Sequence, residues 1–394
     1  MDNISIFLPP FSPDYSGFCS ALFALDGVLV IHDAGGCTGN FTSYDEPRWF
    51  GSSSHVFSSG LREIDAVIGD DGFFIEKINK IVKKSDNRFV ALIGSPVPMV
   101  IGTDFNALAH IIRNSTQVPV ITFDANGIDY YDVGASAAFL AIAKNFILEP
   151  GEKIKKSVNI IGAIPLDLGN DDPESGLCSF INNAGYTVIS SWGGNSKIDA
   201  IMQSGKAELN LVVSRSGLAA ARYMEEKFRI PYVTGLPIGE SAAKKFSVTI
   251  AECIQDSKSQ ILLNYSDLNK SRNNGTACIV AEQVMGNSLR ECLISDFGFS
   301  DVIVCSFFEM DLAISNPGDI HLNSENDLAN IISSGSFDVV IGDPLIQPLI
   351  SDIKLIPFPH IAISSRIFWN DPFHYIGIEG FQYLKKFLNP YSVT

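Results

Sequence analysis

The chain has 394 residues, with 44 acidic against 28 basic side chains for a net charge of −16, 46% hydrophobic and 18% charged residues. That length exceeds one ordinary core and suits two or three α/β units, and the composition excludes a disordered chain. The acidic balance argues against nucleic acid and against anionic membrane surfaces, because phosphate binding needs clustered Lys and Arg.

No apolar run reaches the length of a bilayer span, and the N-terminus MDNISIFLPPFSPD lacks the basic segment of a signal peptide, so a cytoplasmic protein is expected. Seven cysteines at irregular spacings, with no CxxC pair, argue against a disulfide framework, a zinc ribbon or a self-contained ferredoxin-type cluster.

In chain order, GFCSALFAL is a short helix carrying Cys19, and Val28-Leu29-Val30-Ile31 is a buried strand. The strand runs into His32-Asp33, then Ala34-Gly35-Gly36, then Cys37. Two glycines at a strand end allow unusual backbone angles and leave the thiol uncovered. Cys37 can therefore point out of the fold toward a large ligand or a second chain. Residues 41–60 read as a long irregular surface segment. Residues 61–84 have amphipathic helical spacing, broken near Gly69 to Gly72. RFVALIGSP is a strand. DFNALAHIIRNS is a helix with Asp104 as N-cap, VPVITFD a strand, and VGASAAFLAIAKNFIL a small-residue helix.

EPGEKIKKS marks a first domain boundary and LNYSDLNKSRNNG a second, giving units 1–150, 151–268 and 269–394. The second unit alternates SVNIIGAIP, DPESGLCSFINNAG, YTVISSW, ELNLVVS, RSGLAAARYMEEKF, IPYVTGLP and GESAAKKFSVTIAECI. The third runs through TACIVAEQ, VMGNSLRECLISDFG, SDVIVCSFFE, NSENDLANIISSG, FDVVIGDP and FPHIAISSR to a last helix, GIEGFQYLKKFLNP. Alternating strands and helices predict three Rossmann-like domains, each a mainly parallel sheet flanked by helices. Ligands in such folds sit beyond the carboxyl ends of strands, which singles out the loops after Ile31, Ile93, Phe123, Val213, Ile341 and Ile363.

The chain has no GxxxxGK[ST], no GxGxxG and no GxSxG motif, so P-loop ATP hydrolysis, dinucleotide binding and serine-elbow chemistry are unsupported. His32, Asp33, Asp124, Arg215, Arg366 and His374 are the candidate catalytic groups. His32 beside Asp33 suits general acid–base work or a structural role. Arg215 and Arg366 suit an anionic substrate or ordinary ion pairing. Cys178, Cys253, Cys278, Cys292 and Cys305 fall in helix or strand patterns and read as packing residues.

Four motifs in order resemble the nitrogenase component 1 family, which includes dark-operative protochlorophyllide reductase and nickel-sirohydrochlorin reductive cyclase. They are His32 through Gly35-Gly36-Cys37, Val100-Ile101-Gly102-Thr103-Asp104, Tyr223 through Glu225-Glu226-Lys227 to Ile230-Pro231, and Arg366-Ile367-Phe368 through His374 to Gly380. The resemblance implies the catalytic, electron-accepting part of a two-component reductase. It implies a separate ATP-dependent iron protein as electron donor, and a small-molecule substrate between the domains. Relatives with a plain [4Fe–4S] cluster suggest a tetrapyrrole; a cofactor-assembly scaffold without turnover and a metal-free binding protein are the other readings.

The departures from the family pattern matter. The cysteine expected before the I-G-T-D motif is Pro96, the earliest expected one falls near Tyr15, and the iron–molybdenum cofactor ligands fall near Ser214 and Ser365. An active-site histidine of the family falls at Ala135 or Ser136. Neither a P-cluster nor an iron–molybdenum cofactor is expected. By ligand counting, Cys19 and Cys37 from two copies make four thiolates for a [4Fe–4S] cluster shared across a homodimer, flanked by Gly35 and Gly36. Tyr15 and Asp14 are the alternative second ligands, and a paralogous partner the alternative second chain. The family's docking helix aligns with residues 59–65, so Leu61 is expected as an apolar contact with Glu63 and Asp65 at its rim.

Overall fold

The computed structural model describes residues 5–69, 71–84, 87–169, 173–262, 275–368 and 373–388. Three all-parallel sheets follow one another along the chain. The first, ordered β2-β1-β3-β4, contains β1 (Val28–Ile31), β2 (His55–Ser58), β3 (Val90–Ile93) and β4 (Val120–Phe123). The second, ordered β6-β5-β7-β8-β9, contains β5 (Ser157–Ile161), β6 (Thr187–Trp192), β7 (Leu209–Val212), β8 (Tyr232–Thr234) and β9 (Gln260–Ile261). The third, ordered β12-β11-β10-β13-β14, contains β10 (Thr276–Val280), β11 (Asp301–Ser306), β12 (Ile320–His321), β13 (Val339–Gly342) and β14 (Lys354–Pro357). Central strands such as β1, β3, β5 and β7 are buried along their whole length. Helices cover both faces of such strands, so they read in sequence as unbroken apolar runs.

The first sheet is flanked by α1 (Asp14–Leu22), α2 (Gly36–Asn40), α3 (Glu63–Ile68), α4 (Gly72–Val82), α5 (Pro96–Ile101), α6 (Phe105–Thr116) and α7 (Tyr131–Asn145). With the second sheet go α8 (Pro165–Leu168), α9 (Pro173–Asn183), α10 (Ile198–Met202), α11 (Leu218–Phe228) and α12 (Glu240–Asp256). With the third go α13 (Gln283–Phe297), α14 (Glu325–Ser334), α15 (Ile361–Ser364) and α16 (Ile378–Lys385). Asp104 caps α6 by accepting the Ala107 amide at 2.9 Å, as its sequence position suggested.

Three features differ from the sequence reading. Residues 55–58, expected to be irregular, form the edge strand β2 on β1. FPHIAISSR, read as a strand ending at Ile363, is not a strand: the last strand precedes it. β14 stops at Pro357, and α15 starts after His360, because Pro357 and Pro359 cannot donate to a ladder. The C-terminal helix is tied back to the second sheet: the Gly377 amide donates to Pro237 at 2.6 Å, and Gly377 accepts from Gly239 at 2.9 Å. The proposed second domain boundary, at residues 263–275, lies almost wholly outside the described residues.

Two glycines set how α1 meets α7. A Cβ on Gly17 would lie 1.8 Å from the Tyr131 carbonyl oxygen, and a Cβ on Gly134 would lie 1.8 Å from that of Asp14. The backbones are in contact there, and every residue of α1 is buried. This crossing sets the positions of both Tyr15 on α1 and Tyr131 at the start of α7. Phe18 stacks on Phe123, with centroids 4.7 Å apart, and ties the crossing to the sheet.

Candidate functional site

Two places gather chemistry-bearing side chains, and the first is the turn after β1. Asp33 shapes it by accepting from the Thr38 amide at 2.9 Å, the Thr38 hydroxyl at 3.0 Å and the Ser58 hydroxyl at 2.6 Å. Gly35 has φ +115°, a conformation closed to most L-residues, whereas Gly36 has open space where a side chain would stand. Cys37 follows, half-buried. Burial pushes its thiol upward, while the nearby hydroxyls of Tyr15 and Ser95 pull it back toward the thiolate.

His32 turns inward. Its Nδ1 lies 2.9 Å from the Ser59 hydroxyl and its ring packs on Phe74 at 4.5 Å. Burial pushes it down to about 4, so it stays neutral at ordinary pH.

Cys19 is fully buried inside the hydrophobic core, and burial, then Glu46 and Asp33, push its thiol well up. Tyr15 precedes it by four positions and so shares its helix face. Tyr15, not Cys19, is the α1 side chain that meets Cys37. Asp14 is committed to the fold, since its carboxylate takes the Tyr15 and Asn126 amides at 2.8 Å and the Gly127 amide at 2.9 Å. At the position of the missing cysteine, the Pro96 ring packs so closely on Gly127 that a Cβ there would lie 2.6 Å from it.

The same loop borders a cavity of about 290 Å³ between α3 and the end of α5, lined by His32, Leu61, Asp65, Phe73, Lys77 and Ile101 among others. Leu61 is half-buried in its wall and Asp65 pairs with Arg62 at 2.7 Å. Glu63 is exposed. The outward apolar residues here are Ile64, Val67 and Ile68 on α3 and Val97, Met99, Val100 and Ile101 on α5; Val67 and Val100 are 77% and 78% exposed.

The second place lies beyond the carboxyl ends of strands from all three sheets. Tyr131 opens α7, Asp167 lies on α8 after β5, Arg215 follows β7, Glu282 follows β10 and His360 follows β14. The buried Tyr131 hydroxyl donates to Asp167, and His360 Nε2 lies 3.4 Å from the same hydroxyl. Glu282 caps α13 by accepting the Val284 and Met285 amides at 3.0 Å, and also takes the Arg215 amide at 2.8 Å. Asp132 takes the Glu309 amide at 3.0 Å, joining the first unit to the third. Burial, then Glu282, pushes Asp167 well up, and burial drives His360 down to about 3. Asp132 is pushed up to about 7 by burial, against the pull of Arg215.

Asp132 and His360 make stability depend on pH with opposite signs. A raised carboxyl contributes stability that is present in acid and lost as pH rises through about 7. A depressed imidazole contributes stability that is present above its ordinary value and lost as pH falls toward about 3. From about pH 4 to about pH 6.5 the two slopes offset, so the wild-type melting temperature should be nearly level there, and Asp132→Asn should expose a rise with pH across that window. The full Asp132 contribution is bounded by about 4 kcal/mol. An unchanged profile in Asp132→Asn would assign the pH dependence to other groups.

The remaining sequence candidates lie apart from both places. Asp124 is exposed beyond β4. Arg366 donates to the Ser43 carbonyl at 3.0 Å and lies over the Phe50 ring. His374 is exposed in a cavity of about 580 Å³ with Phe373 and Tyr383. Ser214 bonds Ser216 at 2.5 Å, and Ser365 donates to the Tyr44 carbonyl at 2.8 Å. Tyr131, Asp132, Asp167, Glu282 and His360 were missed in sequence; the strand-end rule applied after Ile161, Val280 and Pro357 would have reached Asp167, Glu282 and His360.

A sequence profile of the nitrogenase component 1 type oxidoreductases matches residues 17–370. The chain belongs to that family. Among its relatives is the nitrogenase iron-molybdenum cofactor biosynthesis protein NifE of Clostridium pasteurianum, 25% identical over 60% of this chain and 53% of that protein. The nitrogenase molybdenum-iron protein alpha chain of the same organism is 26% identical over 52% of this chain and 38% of its own length. The chain therefore spans only about half, or less, of the length of these two relatives. A solved structure described as "Nitrogenase Cp1 at pH 6.5" superposes with a TM-score of 0.73 over 98% of this chain and 93% of that one, at 14% identity, which establishes the shared fold. No helix among the described residues is long and apolar enough to cross a membrane.

The donor set of one chain falls short of an iron–sulfur cluster. Among the described residues no three His, Cys, Asp or Glu side chains are placed to hold a metal ion. Cys37 keeps exposed surface while Cys19 has none. These residues fit a [4Fe–4S] group only where a second chain shares it.

Proposed function

We propose that this protein is the electron-accepting component of a two-component, nitrogenase-like reductase acting on a small molecule. The observation that carries the reading is the half-exposed Cys37, presented by a glycine turn that Asp33 holds rigid, in a chain of this family. Cys37 from each of two copies would hold a shared [4Fe–4S] cluster, which supplies one-electron storage when bound. Asp14 is consumed by backbone amides, Cys19 is buried, and Tyr15 is a hard phenol that burial keeps protonated. Cys37 is therefore the one accessible soft donor each copy presents at this turn, and the second donor is the choice between Cys19 and Tyr15 that substitution tests. An isologous homodimer doubles each donor across its two-fold axis. The three sheets fit domains at 1–150, 151–268 and 269–394, with the substrate where their strand ends converge.

Electrons would come from an ATP-dependent iron protein seated on the apolar rim of α3 and α5, beside the Cys37 loop. The expected contact moves from Leu61, half-buried, to Val67 and Ile64, with Glu63 at the edge. Val67→Glu should slow reduction by a nitrogenase-type iron protein by about tenfold or more while leaving dithionite reduction unchanged. Equal loss with both reductants would mean that α3 supports the fold and not docking.

A second reading, a cofactor-assembly scaffold, draws support from the cofactor biosynthesis proteins among the relatives. A reductase cycles electrons and keeps its iron, whereas a scaffold gives its cargo to an acceptor. Iron content before and after incubation with apo acceptor proteins separates them: retention supports the reductase, and stoichiometric loss supports the scaffold.

A further inference from the structure

Residues 5–12 cross from α14 of the third unit to the start of α1 without a helix or strand of their own. The segment is clamped at two points. At the first, the buried Glu325 carboxylate accepts the amides of Ile6 at 2.5 Å and of Phe7 and Leu8 at 3.0 Å. Burial opposes ionisation there, but the three amides together outweigh it and hold the carboxyl below its usual value. At the second, the Ser12 amide donates to the Ala362 carbonyl at 2.9 Å and the Ser12 hydroxyl to Asp45 at 2.8 Å. Between the clamps, Pro9 and Pro10 have no N–H to give. What remains is the Phe11 ring, whose centroid lies 5.2 Å from Phe307 and 5.4 Å from Tyr130. Space lies on both sides of this segment. A cavity of about 380 Å³ reaches Ile128, Phe307 and Glu325, and another of about 450 Å³ reaches Tyr15, Asn40 and Ile361. Pro9, Pro10, Phe11 and Pro13 line both, so the segment is their common wall. A segment belonging to the close-packed core would leave no such voids. Ile6 and Phe7, 79% and 53% exposed, add little burial to hold it down.

We propose that residues 5–12 form a releasable strap latched by Glu325, and that lifting it merges the two cavities into one apolar passage along the seam between the first and third units. The device goes beyond the reductase reading and needs no cluster, because protein contacts alone close it. Its hold is concentrated in one side chain: hydrogen bonds to an ionised acceptor are roughly twice as strong as neutral ones, and Glu325 makes three with consecutive residues. A segment with few buried contacts and one dominant anchor opens locally, without the core, when that anchor lets go. The walls left behind, Phe11 on one side and Phe307, Tyr130 and Ile361 on the other, suit a molecule with an apolar or aromatic body. Asn40 and Asp45 supply polar groups at the inner end, beside Tyr15.

The test is hydrogen exchange of the full chain, wild type against Glu325→Ala and Glu325→Gln, with the apolar dye 1-anilinonaphthalene-8-sulfonate as the probe of the passage. In Glu325→Ala the amides of residues 6–8, 11 and 12 should exchange at least about tenfold faster while those of α1 and α7 keep their protection. Glu325→Gln keeps an acceptor oxygen at the start of α14 without the charge, which guards against fraying of that helix, and should lie between wild type and Glu325→Ala. Dye fluorescence should rise in the same order. Unchanged strap protection in Glu325→Ala, or wild-type behaviour of Glu325→Gln, would overturn the latch. Equal loss of protection in α1 and α7 would make the segment part of the core and overturn the strap. Faster exchange with no gain in dye fluorescence would overturn the passage. Iron is assayed on the same samples, so a missing cluster, which would sink the reductase reading, is a separate result.

Discussion

Gly134→Ala should destabilise the protein by about 3 kcal/mol or more, and Gly17→Ala by a similar amount. At both positions the added methyl would stand 1.8 Å from a backbone carbonyl oxygen of the facing helix. Backbone cannot rotate aside as a flexible side chain can, so α1 and α7 must separate. Overpacking of a well-filled core usually costs about 1–3 kcal/mol, and a backbone–backbone clash belongs at or above the top of that range. Separation would also move Tyr15 from Cys37 and Tyr131 from Asp167, because the same two helices carry them. Denaturant melts of both variants check this, and a loss below about 1 kcal/mol would show that the crossing has slack. Gly36→Ala is the internal control: it meets no atom within 4 Å and should cost little.

Cys37→Ser should abolish iron binding almost completely. Iron–sulfur clusters need soft anionic donors, and a serine hydroxyl is a hard, neutral replacement. In a symmetric dimer one substitution removes a thiolate from each half at once. Cys19→Ser should keep most of its iron, since that side chain is sealed in the core, at a cost of about 1–3 kcal/mol for burying a hydroxyl. Tyr15→Phe should lower iron content without unfolding the chain. Loss of iron in Cys19→Ser with retention in Tyr15→Phe would return the second ligand to Cys19 and require α1 to open on cluster binding. Cys178, Cys253, Cys278, Cys292 and Cys305 should tolerate serine with a packing cost alone; four of the five are fully buried.

The fold was largely legible because buried parallel strands are continuous apolar runs and the helices between them carry caps such as Asp104. β2 was not legible, since HVFS is short, exposed at its first residue and set among serines. The misplacement of the last strand had a local cause: Ile361-Ala362-Ile363 looks like a strand but sits beyond two prolines that end the ladder.

The Cys37 turn was readable because its glycines, acid and thiol are adjacent in sequence. The interdomain cluster was not, because Tyr131, Asp167, Arg215, Glu282 and His360 are scattered over more than half the chain. No periodicity marks a buried acid, and the topology alone brings these residues together. Arg215 was singled out by its place after a strand, but its pairing with Asp132 and Glu309, at 3.6 and 3.5 Å, exists only in three dimensions.

Iron and acid-labile sulfide per chain, measured on anaerobically reconstituted protein whose mass is taken by light scattering on the same fractions, test the shared cluster most directly. About four irons and about four sulfides in a particle of two chains, with a reduced-state paramagnetic signal, are predicted. Iron-free protein after reconstitution, or a full cluster on a monomer, would contradict it.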